Sequence, residues 1–188
     1  MKATAIIELN QLYAARNFKE LASQRMIYVR PDWVMELAND KDAAVRYSLS
    51  SNPAVVQLPE VAMKLAKDKK WIVRACLAVN SDIARLPYVA MKLANDEDPT
   101  VCRWLADNPA IAQLPAVVKE LCINKDIEVR RSLARNDNAD QFPLGVLVTL
   151  ANDQEALAGR YLPPNPILAQ FQNQSPEVDT ISKRSTLE

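Results

Sequence analysis

One spacing governs most of this chain: proline, valine, leucine and asparagine each recur at intervals of 28 residues. The four columns are Pro31, Pro59, Pro87, Pro115 and Pro143; Val45, Val73, Val101 and Val129; Leu49, Leu77, Leu105 and Leu133; and Asn52, Asn80, Asn108 and Asn136. A period between about 20 and 50 residues is typical of helical solenoids and repeat arrays, whose units bury their apolar faces against each other. The spacing therefore predicts a stack of similar units.

Each unit predicts two helices and a short turn. The proline opens the first helix, because a residue without an N–H group suits the first helical position. The second helix carries Val45, Ser48 and Leu49 on one face and ends at Asn-Pro, since proline disfavours the helical conformation in the preceding residue. The segment PAVVQ has room for one 3₁₀ turn. The predicted fold is all-α, a right-handed α-solenoid of about six 28-residue two-helix units.

The repeat predicts one solenoid domain over residues 1–170. Its units lie near 3–30, 31–58, 59–86, 87–114, 115–142 and 143–170. The first and last are the least regular, as capping units are. The last matches after insertion of one residue, which brings Leu150, Asp153, Leu157, Leu162 and Asn165 into register. Residues 171–188 are polar and break the repeat, so a disordered tail is predicted there.

The composition excludes several classes of function. The chain has no histidine and two glycines, which removes the usual serine and cysteine triads, most zinc sites and the glycine-rich phosphate loops. We therefore expect no enzymatic activity, no cofactor and no metal. The 23 basic and 23 acidic residues balance, so neither nucleic acid nor an anionic membrane is an expected partner.

The cysteines and the short apolar runs bear on the compartment. Cys76, Cys102 and Cys122 are an odd number without a close pair, which favours free thiols in a reducing cytoplasm. No apolar run has the length of a membrane-spanning helix. The N-terminal residues are interrupted by Glu8 and Asn10, and we interpret them as an amphipathic helix rather than a signal peptide. The expected location is cytoplasmic.

Two motifs resemble known helical repeats. The pattern D-x4-V-R, as in Asp40 to Arg46 and Asp68 to Arg74, follows a helix that opens with proline and resembles the HEAT repeat. The segment VRYSLSSNP resembles the bacterial leucine-rich repeat variant, which is also a helical solenoid. The resemblance covers about 165 residues and implies an armadillo-like protein that binds other proteins. Some leucine-rich repeat variants carry an N-terminal iron–sulfur cluster, but this chain has no cysteine before Cys76.

The charged and amide columns are interpreted as structural. Asp and Arg six residues apart across a turn can meet, and in HEAT-like repeats this pair links neighbouring units and caps helices. The residues are Asp40, Asp68 and Asp96 with Arg46, Arg74 and Arg130. The asparagine column is assigned to turns, because asparagine tolerates left-handed conformations and bonds its own backbone. Cys102 and Asn124 depart from the charged pattern.

The positions that vary on the outer face of the second helices are the binding candidates. Large aromatic residues and arginine are enriched at interface hot spots, and a solenoid presents such residues along a groove. The partner-binding candidates are Tyr47, Trp71, Arg103, Ile127, Arg131 and Arg135. Trp104 is expected to fill space between units instead. A methionine column on the first helices, Met35, Met63 and Met91, is an alternative surface that the sequence leaves open.

The predicted function is a non-enzymatic scaffold that binds a protein or peptide. A regulatory or assembly subunit of an enzyme or phage complex is one form of it. The alternative is nucleic-acid binding, by resemblance to a family of bacterial DNA glycosylases built from HEAT-like repeats. That reading would use Trp71 and four arginines on the second helices, Arg103, Arg130, Arg131 and Arg135.

Overall fold

A computed structural model describes residues 2–164 and Leu168, and over these residues the chain is all-α, with no strand. The helices are α1 (Lys2–Ala14), α2 (Phe18–Ser23), α3 (Pro31–Ala38), α4 (Ala43–Ser50), α5 (Pro59–Leu65), α6 (Trp71–Ala78), α7 (Pro87–Ala94), α8 (Pro99–Ala106), α9 (Pro115–Cys122), α10 (Ile127–Ala134) and α11 (Leu144–Ala151). Short 3₁₀ turns lie at Arg25–Val29, Pro53–Gln57, Ile83–Arg85, Pro109–Gln113, Ala139–Gln141 and Ala158–Arg160. The predicted tail, 171–188, lies outside the described residues.

Proline sets the start of the first helices, as predicted. It is the first residue of α3, α5, α7 and α9, where its missing N–H group leaves no hydrogen bond unmade. Pro143 differs, because it precedes α11, which begins at Leu144. The predicted 3₁₀ turn in PAVVQ is confirmed at Pro53–Gln57.

The helices pack in two series that follow chain order. The second helices α2, α4, α6, α8 and α10 each contact the next, and the first helices α3, α5, α7, α9 and α11 do the same. The leucine column is buried to 0% exposure in α4, α6, α8 and α10, in a core to which both series contribute. The repeated apolar letters are therefore the residues that pack one unit on the next.

Regularity is lost at the C-terminal end. Leu150 is buried and Asp153 pairs with Arg130, so the inserted register holds to this point. Leu157, also predicted in register, has a left-handed backbone (φ 52°) and is 40% exposed. Between 152 and 164 a single 3₁₀ turn, Ala158–Arg160, stands where earlier units have an α-helix. At Gly159 a Cβ would lie 2.7 Å from the Ala151 carbonyl oxygen, so this turn approaches the α11 backbone too closely for any other residue.

Candidate functional site

Aspartate side chains cap the N-termini of three of the second helices and so set the residue at which each helix begins. The carboxylates of Asp42, Asp98 and Asp126 accept hydrogen bonds from N–H groups in the first turns of α4, α8 and α10. The sequence assigned this role to residues two positions earlier, such as Asp40. That assignment is wrong, because the Asp40 carboxylate accepts the Asp42 N–H and so shapes the turn before the helix. The equivalent position before α6 is Lys70, which makes no capping hydrogen bond.

The asparagine column forms a buried ladder between units. The Asn108 amide nitrogen donates to the carbonyl oxygens of Ala78 and Asn80, at 2.8 and 3.0 Å, and its amide oxygen accepts the Ala110 N–H. Asn136 repeats the arrangement one unit on. The structural role is as predicted, but the reason differs. Asn108 has an extended backbone (φ −78°, ψ 116°), and buried hydrogen bonding rather than a left-handed turn requires the amide.

The arginine column also joins neighbouring units. Two guanidinium nitrogens of Arg74 donate hydrogen bonds to the carboxylate oxygens of Asp96 in the next unit, both at 2.7 Å. A third hydrogen bond goes from Arg74 to the Asp68 backbone carbonyl. Arg46 holds Asp68 in the same way. The pair expected six residues apart is thus made through a carbonyl, whereas the carboxylate partner lies 22 residues ahead. A planar guanidinium matches this geometry, because it binds a carboxylate and a carbonyl together.

Both departures from the charged column occur at the same junction. Cys102 occupies the arginine position of α8, and Asn124 occupies the carboxylate position 22 residues later. The Cys102 thiol is buried and lies 3.3 Å from the Ala94 carbonyl oxygen, and this burial raises its pKa. Because this junction lacks both the arginine and the aspartate, no buried charge is left without a partner.

Three of the candidate residues lie along the outer face of successive second helices. Tyr47 on α4 is 42% exposed and Trp71 at the start of α6 is 41% exposed. Arg103 on α8 is half-buried and makes no ion pair with any described residue. The nearby Cys76 side chain of α6 raises the pKa of Tyr47. These two aromatic residues and one arginine on successive second helices are named here the second-helix face.

Trp104 supports this face from below. Its ring is half-buried, packs on the core and meets Trp71 edge-on at 6.3 Å between ring centroids. An edge-to-face contact of this kind is worth about 0.5–1.5 kcal/mol beyond the area that it buries. Trp104 therefore holds Trp71 in place across the junction between α6 and α8.

The other candidates are engaged within the chain. Arg131 donates to the Ala156 carbonyl oxygen at 2.7 Å and pairs with Glu128. Arg135 stacks over the Tyr161 ring, with its guanidinium carbon 4.0 Å from the ring centroid. Both arginines brace residues 156–161 against α10, a role that the sequence pattern did not indicate. Ile127 is half-buried against the core.

The methionine column is only partly exposed. Met35, Met63 and Met91 are half-buried and pack against the core. Met35 lines a cavity of about 550 Å³ at the starts of α3 and α5, with Pro31, Leu58 and Val61 among its walls.

Sequence reasoning missed a cluster of lysines at the end of α5 and in the turn between α5 and α6. Lys64, Lys67, Lys69 and Lys70, named here the lysine turn, are all exposed. Cavities of about 320 and 350 Å³ flank it, toward the preceding and the following turn respectively. The signal was in the sequence, because lysine stands at position 70 where three sister units have aspartate.

The described residues contain no group of three or more His, Cys, Asp or Glu side chains able to hold a metal ion. Burial also raises the pKa of the Cys122 thiol, which favours its protonated, unreactive form.

Among the helices of the described residues, none combines the length and the apolar character needed to cross a bilayer.

Comparisons of the chain with protein-family models, with curated proteins and with solved structures gave no significant match.

Proposed function

We propose that this protein is a non-enzymatic scaffold that binds a protein or peptide along the second-helix face. The observation that carries this function is the exposure of Tyr47 and Trp71 on successive helices, with Arg103 on the next helix. Aromatic rings lose little conformational entropy on binding, and with arginine they contribute most of the energy at protein interfaces. These three residues stand at positions that vary between units whose core positions do not vary.

The framework of this scaffold is a right-handed α-solenoid of about six 28-residue units, related to HEAT-like and leucine-rich repeat variant proteins. Three features support it: the chain-order packing of the two helix series, the asparagine ladder and the arginine links to the next unit. Each link joins a unit only to its neighbour, as in quasi-one-dimensional repeat proteins. The buried free thiols are consistent with a reducing cytoplasm.

The nucleic-acid alternative has less support. Two of the candidate phosphate-binding arginines already form ion pairs within the chain: Arg130 pairs with Asp153 and Glu155, and Arg131 pairs with Glu128. A guanidinium that is already neutralised releases little counterion free energy on meeting a phosphate.

Partner capture with paired variants tests the proposal. Tyr47→Ala with Arg103→Ala installs the residue that Ala75 supplies at the same position of the unit between them. We expect this variant, as tagged bait in a lysate of the native host, to lose the captured protein while its helicity and melting temperature are unchanged. The control removes one tyrosine and one arginine elsewhere: Tyr88→Ala with Arg85→Ala, both exposed in the parent. Equal capture by the two variants would contradict the proposal.

A further inference from the structure

The lysine turn concentrates positive charge in a chain whose net charge is zero. Residues 64–70 contain four lysines and one aspartate, and that aspartate is already bound by Arg46. No described carboxylate pairs with any of the four lysines, and all four side chains are exposed. The turn is therefore a local cationic surface that the overall composition conceals.

Comparison with sister units shows that the repeat framework does not require lysine at positions 64, 67 and 70, whereas position 69 is also lysine in two sister units, as Lys41 and Lys125. Position 64 corresponds to Glu36, Lys92 and Glu120; position 67 to Asn39, Asn95 and Ile123; and position 70 to Asp42, Asp98 and Asp126. The change at position 70 is unfavourable for folding. It replaces a helix cap by a cation beside the positive end of the α6 dipole, and Lys70 makes no capping hydrogen bond. A residue that weakens its own helix while remaining exposed suggests selection for binding.

The surroundings of the lysine turn restrict what it can bind. Acidic residues outnumber basic ones at the equivalent turns on both sides: Asp40 and Asp42 flank Lys41 before it, and Glu97 and Asp98 lie after it. Neighbouring helices pack about 8–10 Å apart, so the positive surface is about one unit wide. A long polyanion that follows the stack would meet the flanking carboxylates and be repelled. Two or three carboxylates of a short segment would fit.

Trp71 adds an apolar contact to this surface. It follows Lys70 directly and is 41% exposed. It lines a cavity of about 520 Å³ with Lys69 and Arg74 on one side and Glu97 and Asp98 on the other. Its ring also contacts the Trp104 ring edge-on. An apolar side chain of a bound segment can thus pack on Trp71 while the neighbouring carboxylates reach the lysines.

We propose that the lysine turn binds a short acidic segment of a partner protein, with glutamate or aspartate side chains on Lys67 and Lys70 and an apolar residue against Trp71. This inference rests on the proposed scaffold function and deepens it by naming the chemistry of the partner. The acidic segment docks at the edge of the second-helix face, with Trp71 common to both surfaces.

Fluorescence anisotropy with a defined probe tests the proposal. The probe is a labelled peptide of glutamates around one phenylalanine, and its comparison peptide carries glutamine in place of glutamate. We expect the parent protein to bind the glutamate peptide at low salt about tenfold more tightly than the glutamine peptide. The affinity should fall as salt is added, because exposed charges are screened.

A charge-matched pair of variants locates the binding. Lys67→Asn with Lys70→Asp installs residues found in sister units and changes the charge as much as Lys119→Gln with Lys125→Glu does on the next-but-one unit. We expect the first variant to lose binding about tenfold and to melt no lower than the parent, since an aspartate cap is restored. The second should bind within about twofold of the parent.

Three results would overturn the proposal: no binding by the parent at low salt, equal binding by both variants, or tighter binding of a short DNA duplex than of the glutamate peptide. The scaffold proposal fails separately. If capture of the host protein depends on Tyr47 and Arg103 but is unchanged in the Lys67→Asn, Lys70→Asp variant, then the acidic-segment inference is wrong and the scaffold stands. If instead the lysine turn binds the glutamate peptide but capture is unchanged in the Tyr47→Ala, Arg103→Ala variant, then the scaffold proposal for the second-helix face is wrong and the acidic-segment inference stands.

Discussion

At the scale of single residues, the asparagine column shows one buried side chain serving two units at once. The Asn108 amide caps the turn that follows it through its oxygen and ties that turn to the preceding unit through its nitrogen. Neither alanine nor serine offers a donor and an acceptor with that reach. The asparagine therefore repeats because both groups are needed at every junction.

Replacement of this amide should be costly. We expect Asn108→Ala to lower the free energy of unfolding by about 2–3 kcal/mol, because buried carbonyl and N–H groups lose their partners. Asn138→Ala is the matched control, since its amide bonds the Pro109 carbonyl at the surface, and a loss below about 1 kcal/mol is expected. Urea denaturation of both variants measures the difference. Similar losses would mean that the ladder adds nothing to stability.

At the scale of helices and turns, the arginine links decide how one second helix joins the next unit. Arg74 binds both the turn before its own helix and the aspartate after the following first helix. The link is absent at the junction that follows α8, where Cys102 and Asn124 stand in place of the two charges. The two uncharged residues fit each other. An arginine introduced at position 102 would need an aspartate at position 124 to pair with, and the reverse also holds.

A double-mutant cycle tests this coupling. Cys102→Arg alone should destabilise the protein by about 3 kcal/mol, because it buries a guanidinium without a carboxylate. Adding Asn124→Asp should recover about 1–3 kcal/mol of that loss. The control cycle combines Cys102→Arg with Asn138→Asp, which lies in the turn after α10 rather than before it, and no recovery is expected. Additive effects in the first cycle would show that the two positions do not form a link.

The same links predict how stability depends on pH. The hydrogen bond from Arg130 holds the pKa of Asp153 below its ordinary value; burial raises the pKa of Asp68, but hydrogen bonds from Arg46 and the Lys70 N–H outweigh it and lower that pKa as well. Groups whose pKa is lowered by folding stabilise the protein above their unfolded pKa, about 3.9. This contribution is lost as the pH falls through the folded values.

We therefore expect the free energy of unfolding to be level between about pH 5 and 7 and to fall below about pH 4. Denaturation at a series of pH values measures this profile. An Arg130→Met variant should show a shallower fall, because the Asp153 pKa returns toward its ordinary value. A profile that is the same in parent and variant would contradict the role of this pair.

At the scale of the whole molecule, the sequence predicts what repeats and misses what crosses between units. The helix starts at Pro31 and Pro59 and the buried leucines follow from spacing alone, because local capping and burial are periodic. The carboxylate partner of Arg74 lies in the next unit, so a pattern read within one unit could not find it. The bracing by Arg131 depends on the irregular turn near Ala156, which has no counterpart in the repeat.

The candidate surface was predicted in part for the same reason. Tyr47 and Trp71 stand out because they vary at periodic positions, and both are exposed. The composition of the whole chain does not reveal the lysine turn, because acidic residues elsewhere offset the excess of lysine in residues 64–70. Position 70 carried the signal, since a lysine there opposes the local requirement for a cap.

The central claim is that the second-helix face and the lysine turn bind the partner, and amide hydrogen exchange with and without the captured protein tests it most directly. We expect slower exchange in α4, α6 and α8, around Tyr47, Trp71 and Arg103, and at residues 64–71, with α7 and α9 unchanged. Slower exchange confined to α3, α5 and α7, around Met35, Met63 and Met91, would contradict it and place the partner on the first helices.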